Sequence, residues 1–132
     1  MDSLLKKCFQ DVDISLSVLQ VIAINSYDSI MITDATKDAK IIYANKAFKT
    51  LTGYDPAEVI GKTPRILQGA ATDKTVIARL VDALKTDGRF EGKAINYKKN
   101  GTPFIMYWRV LPVKVGNKTR LWVAIQREGF EI

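Results

Sequence analysis

Two amides stand where β-strands could carry them into a pocket. Asn96 follows Ala94 by two residues, and Gln126 follows Ala124 by two. Side chains alternate along a strand, so each alanine and its amide share one face. A small residue beside an amide is what a pocket floor needs to hydrogen-bond the edge of a bound molecule. The competing reading is an amide satisfied by a loop carbonyl or a water. A second cluster lies in Gly61-Lys62-Thr63-Pro64-Arg65-Ile66-Leu67-Gln68-Gly69. Arg65 there suits a phosphate or a surface carboxylate. Pro64 brings no nucleophile and suits the first turn of a short helix.

Other chemistry is missing from the composition. The 132 residues contain no histidine and one cysteine, Cys8. Histidine-ligated haem, Ser-His-Asp hydrolysis and histidine-containing metal sites are therefore excluded. A zinc site from one thiol and scattered carboxylates is disfavoured. A lone cysteine also rules out an intramolecular disulfide and points to a reducing compartment, so a cytoplasmic location is expected. No signal-peptide pattern or membrane-spanning apolar run is present. No residue set supports catalysis, so a non-enzyme is expected.

The net charge is +6 and uneven. Residues 1–60 carry six basic and eight acidic side chains, whereas residues 61–132 carry fourteen and six. No nucleic-acid recognition signature accompanies the basic half, so nucleic acid is not expected as a partner.

The elements follow from pattern and punctuation. Leu5, Phe9, Val12, Leu16 and Leu19 fall at helical spacing and predict an amphipathic N-terminal helix over 3–22. Strands are expected at Ser29 to Asp34 and Lys40 to Ala44. Asn45 and Asp55 then cap two short helices, closed by Gly53 and Gly61. Asp73 caps the longest helix, with Val76, Ile77, Leu80, Val81 and Leu84 as its buried stripe and Gly88 as its stop. Three long strands follow at Phe90–Lys98, Thr102–Val113 and Leu121–Glu128. Their turns are Asn100-Gly101 and Gly116-Asn117. Short helices beside antiparallel hairpins mean an α+β fold.

This order and its residues resemble the PAS sensor family over positions 28–128. The resemblance rests on Asp28-Ser29-Ile30-Met31-Ile32-Thr33-Asp34, on Ile42-Tyr43-Ala44-Asn45-Lys46-Ala47-Phe48 and on Leu51-Thr52-Gly53-Tyr54 with Glu58-Val59-Ile60-Gly61-Lys62. Ile95-Asn96-Tyr97-Lys98-Lys99-Asn100-Gly101 and Leu111-Pro112-Val113 continue it. Arg65, Leu67-Gln68-Gly69 and Thr72-Asp73 narrow it to the blue-light LOV branch.

The resemblance implies a PAS fold: a five-stranded antiparallel sheet with short helices on one face and an N-terminal helix covering the other. It divides the chain into a helical extension at 1–24, for dimerisation or signalling, and a PAS domain at 25–132. It implies a signal-transduction sensor whose pocket holds a flavin noncovalently, FAD ahead of FMN, with Asn96, Gln126, Arg65, Gln68, Thr63, Met106 and Trp108 as binding residues. Gln126 would signal flavin state to the sheet. Pro64 stands where the LOV branch has its photoactive cysteine, and Thr63 replaces the preceding asparagine. Met106 replaces a second ring-binding asparagine. Val81 replaces a second phosphate-binding arginine, for which Arg79 or Lys74 could substitute beside Arg65. The alternative is a ligand-free or small-metabolite PAS module that acts by dimerisation. Ile95, Tyr97, Ile105, Tyr107, Leu111, Leu121, Val123 and Ile125 would make an apolar outer face for a homodimer. Output would then pass to a signalling domain outside this chain.

Overall fold

The computed structural model describes residues 12–130. Helix α1 (Val12–Asn25) leads into strand β1 (Ser29–Asp34) and strand β2 (Ile41–Ala44). Two short helices follow, α2 (Lys46–Thr52) and α3 (Pro56–Val59), then a 3-10 turn, η1 (Pro64–Leu67). Helix α4 (Lys74–Lys85) precedes β3 (Phe90–Tyr97), β4 (Pro103–Val115) and β5 (Lys118–Glu128). The five strands form one antiparallel sheet in the order β2-β1-β5-β4-β3. The first and last strands in the chain are thus neighbours at the sheet centre, and the α+β expectation holds.

The caps explain the short helices. Asn45 accepts from the Phe48 amide, and Gly53 ends α2 at φ +80°, a conformation that costs glycine little. Asp55 accepts from the Ala57 amide ahead of Pro56 in the first turn of α3. Asp73 caps α4 by accepting from the Thr75 amide. The stop of α4 differs from expectation: the helix ends at Lys85, and Asp87, not Gly88, takes the left-handed position at φ +53°. The hairpins also run longer. β4 reaches Val115 and β5 starts at Lys118, because Gly116-Asn117 closes a two-residue turn.

Core residues lie between the sheet and the helices. Ile41, Phe48 and Val59 are fully enclosed, and Phe90 and Trp108 pack with ring centroids 5.0 Å apart. α4 behaves otherwise. Ile77, Leu80 and Leu84 are only half-buried and Val81 is exposed, so the expected buried stripe is incomplete. The reason is that this helix roofs a cavity instead of a packed core.

The N-terminal helix corrects the sequence reading most. Residues 3–11 of the expected helix lie outside the described residues. Within α1, Leu19, Val21, Ile22 and Ile24 are all more than half exposed, so this helix does not cover the outer sheet face. Its apolar residues surround it instead of forming one stripe. What ties it down is Asn45, whose Nδ2 donates to the carbonyls of Ala23 and Asp28 at 2.9 and 3.1 Å. The outer face is apolar as expected, with Ile30 opposite Ile125 and Ile32 opposite Val123, though most of its residues are half-buried by their neighbours. Tyr97 is a further correction. It packs its ring on Gly69 and accepts from the Ala71 amide at 2.8 Å, away from the open face.

Candidate functional site

Sheet register decides which side chains meet. Gln126 on β5 lies opposite Ser29 on β1 and Trp108 on β4. Ala124 lies opposite Met31 and Val110, and Ala94 on β3 lies opposite Met106. These residues are buried on the inner face, where the two alanines leave room that larger residues would fill. The facing wall is Pro64, Leu67 and Gln68 from η1 and its end, with Ile77, Leu80 and Leu84 from α4.

Between these walls is a cavity of about 80 Å³. That exceeds the roughly 10–15 Å³ a single water needs. Beside it lies a mouth of about 460 Å³ lined by Lys37, Asp38, Thr63, Arg65, Val81 and Lys85, with Pro64, Gln68, Leu80 and Trp122 among the residues shared between both spaces. A mouth of that size lies within the roughly 300–1,000 Å³ of small-molecule sites.

Local bonds hold the η1 wall in place. The Thr72 hydroxyl donates to the Ile95 carbonyl at 2.7 Å and accepts from the Gly69 amide at 3.0 Å. A Cβ at Gly69 would sit 2.3 Å from the Tyr97 ring, so glycine is required there. This pins the segment after Gln68 to β3 and keeps Gln68 on the cavity.

The two amides are the cavity's polar groups of most consequence. Gln126 is 2% exposed and its Oε1 accepts from the Ser29 hydroxyl at 2.9 Å. Its Nε2 donates to no protein group among the described residues. Asn96 is 5% exposed, and its Nδ2 makes one long contact of 3.4 Å to the Ala94 carbonyl. Its Oδ1 accepts from no protein group among the described residues. Both amides border the cavity, which suits an occupant, water or ligand, that offers an acceptor to Gln126 and a donor to Asn96.

Of the residues expected from the sequence, Asn96, Gln126, Gln68, Met106 and Trp108 line the cavity, and Thr63 and Arg65 line the mouth. Pro64 faces both, and no thiol lines either among the described residues. Arg65 is exposed and forms no ion pair among the described residues. Arg79 does not substitute at the mouth. Its guanidinium lies 4.9 Å over the Phe90 ring and donates to the Glu91 carbonyl at 3.0 Å. Lys74 does not line the mouth either.

Sequence reasoning missed Trp122, Lys37 and Lys85. Alternation back from Ala124 could have found Trp122. Lys85 lies one helical turn beyond Val81, on the same side of α4. Lys37 sits in a polar turn and carried no signal.

Residues 28–128 match the PAS domain family. The chain is 39% identical over 126 residues to phototropin-2 of Oryza sativa subsp. japonica, covering 94% of this chain and 13% of that protein. It is 44% identical over 80 residues to a blue-light-activated histidine kinase of Brucella anthropi, covering 61% of this chain and 16% of that protein. It thus spans less than a fifth of either relative. Its fold superimposes on the LOV domain from the Erythrobacter litoralis EL346 blue-light-activated histidine kinase with a TM-score of 0.75 at 31% identity, over 79% of this chain and 97% of that one. Match, register and inner-face cavity agree: the chain belongs to the PAS domain family, and its relatives are of the LOV type.

Proposed function

We propose that this chain is a sensory domain that holds a flavin noncovalently and reports light or redox state without a cysteinyl adduct. The observation that carries this is a pair of amide atoms, Gln126 Nε2 and Asn96 Oδ1, that have no protein partner among the described residues and border a mostly apolar cavity. A flavin ring edge presents both carbonyl acceptors and an N–H donor, so the residues present fit the group. When bound, flavin supplies blue-light absorption and reversible one-electron chemistry.

The chain's own residues divide the remaining work. Asn96 and Gln126 orient the ring edge. Met106 packs against it and adds no hydrogen bond, which weakens ring binding without forbidding it. Leu67, Ile77 and Leu80 exclude water. Arg65 and Thr63 meet the tail at the mouth, and Val81 in place of a second phosphate-binding arginine favours FAD ahead of FMN. Gln126 reads the ring on one side and holds Ser29 through Oε1 on the other, so a flip of its amide disturbs β1 and β5 together.

The extension at 1–24 and the PAS domain at 25–132 form the functional division in this reading. Exposed apolar residues of α1 favour a homodimer. Output passes to a signalling domain attached in the full protein. The domain acts as a sensor and not as an enzyme, in the cytoplasm, with no nucleic acid. Among the described residues no helix is long and apolar enough to cross a membrane. A second reading, a dimerising module that takes a small metabolite or nothing, draws support from Met106 and from the small cavity.

A visible absorption spectrum of the purified protein, before and after incubation with FAD, FMN or riboflavin, tests the proposal. A structured flavin band that stays with the protein through gel filtration supports it. Failure of all three flavins to bind refutes it and leaves the second reading.

A further inference from the structure

Helix α4 partitions the pocket. Ile77, Leu80 and Leu84 lie along one edge of the helix, and each lines both the inner cavity and the mouth. The cavity alone, at about 80 Å³, is well below the roughly 300–1,000 Å³ of small-molecule sites. An occupant the size of a ring system therefore needs this partition to move.

The helix is loosely held. None of its 12 residues is fully buried, and such elements open at low cost. Its side-chain ties run mainly to one strand, β3. The Arg79 guanidinium lies over the Phe90 ring and donates to the Glu91 carbonyl. A Cβ at Gly92 would sit 2.9 Å from that guanidinium, so glycine leaves the room it occupies. Just ahead of the helix, the Thr72 hydroxyl donates to the Ile95 carbonyl. On the mouth side, Val81 and Lys85 make no side-chain hydrogen bond or ion pair among the described residues. One bond closes the far end. Thr119 of β5 is buried, and its hydroxyl donates to Asp87 Oδ1 at 2.9 Å. Asp87 holds φ +53°, a left-handed conformation that is costly for a residue with a Cβ. A strained residue held by a single side-chain bond makes a poised latch. That bond joins the end of α4 to the strand that carries Trp122 on the mouth.

We propose that α4 is the entry gate of this pocket, hinged on β3 through Arg79 and latched to β5 by Asp87 and Thr119. When the latch opens, the helix swings about its β3 edge. Ile77, Leu80 and Leu84 then withdraw, and cavity and mouth become one space. The gate sets how fast an occupant enters and leaves, as lids do in other binding sites. It rests on the pocket walls and not on the identity of the occupant, so it stands apart from the flavin reading.

Thiol labelling of the full chain tests this without a ligand. In a Cys8→Ser background, Ala124→Cys puts a thiol in the cavity behind α4, and Ala44→Cys puts one in the core away from it. Monobromobimane, a bicyclic reagent, should label Ala124→Cys at least about ten-fold faster than Ala44→Cys, because the gate opens without global unfolding. Adding Thr119→Val keeps the side-chain shape and removes the latch. It should speed labelling of Ala124→Cys by about 2- to 10-fold, the equivalent of one net hydrogen bond. Adding Asp87→Asn instead keeps an acceptor and tolerates the left-handed backbone, and should leave the rate unchanged. Met31→Cys, on β1 of the same cavity, repeats the measurement if Ala124→Cys does not fold. Equal labelling of the cavity and core thiols overturns the gate. A cavity thiol that labels no faster with Thr119→Val overturns the latch.

Discussion

Replacing Asn45 with alanine should remove about 2–4 kcal/mol of folding stability, a large effect for one side chain. Asn45 is 3% exposed and uses both ends of its amide. Oδ1 accepts from the amides of Ile30 at 2.9 Å and Phe48 at 3.1 Å. Nδ2 donates to the carbonyls of Ala23 and Asp28. Loss of the α2 cap alone costs about 1 kcal/mol. The Ile30 amide then lacks an acceptor on a part-buried strand, which adds about 1–3 kcal/mol. The two carbonyls add less, because the Ser26 hydroxyl already donates to Asp28 and water can reach Ala23. Urea unfolding followed by emission from Trp108 and Trp122 measures the change. Asn45→Ser restores a cap acceptor but not the reach to Ala23, and should recover about 1 kcal/mol. Amide exchange at residues 19–25 should quicken in both variants, because both release α1. A loss under about 0.5 kcal/mol for Asn45→Ala, the range of ordinary surface changes, would refute the junction role.

Asn96→Ala should weaken riboflavin binding by about 5- to 100-fold, the affinity equivalent of one lost buried hydrogen bond. Equal titration curves for variant and wild type would make Asn96 structural. Pro64→Cys, once loaded with flavin, should bleach reversibly in blue light through a thiol bond, whereas the unmodified protein should not; reversible bleaching of that kind in the wild type would contradict the role given to Pro64. Acid should destabilise the fold. The Thr36 hydroxyl holds the Asp34 carboxyl below its ordinary range, Lys99 does so for Glu58, and the Ala57 amide does so for Asp55. Their stabilisation is full above the unfolded carboxyl range near pH 4 and is lost as pH falls through the lower folded values. Urea midpoints at pH 7 and pH 3 measure it, and a higher midpoint in acid would overturn it. Sedimentation should show a dimer that dissociates on deleting residues 1–22; a monomer at high micromolar concentration with the helix present would mean the exposed α1 surface is not a self-contact.

Local rules carried much of this protein into view from residue order. Caps at Asn45, Asp55 and Asp73 and the Asn100-Gly101 turn depend on neighbours within a few residues, so the short helices and the β3–β4 hairpin were legible. Alternation put Ala94 with Asn96 and Ala124 with Gln126, because a strand's period is the same in any fold. What local pattern cannot contain is register and distance across the chain. Only the β1–β5 pairing brought Ser29 to Gln126, which are 97 positions apart. Only the packing of α4 on β3 drew Arg79 onto Phe90 and away from the mouth, and left Lys37 and Lys85 around it. Helical spacing suggested that the N-terminal helix would cover the sheet. In the folded chain the hydrogen bonds of Asn45 hold that helix by its end instead, and leave its apolar surface in solvent. Periodicity specifies which residues can share a face, and long-range packing decides what that face meets.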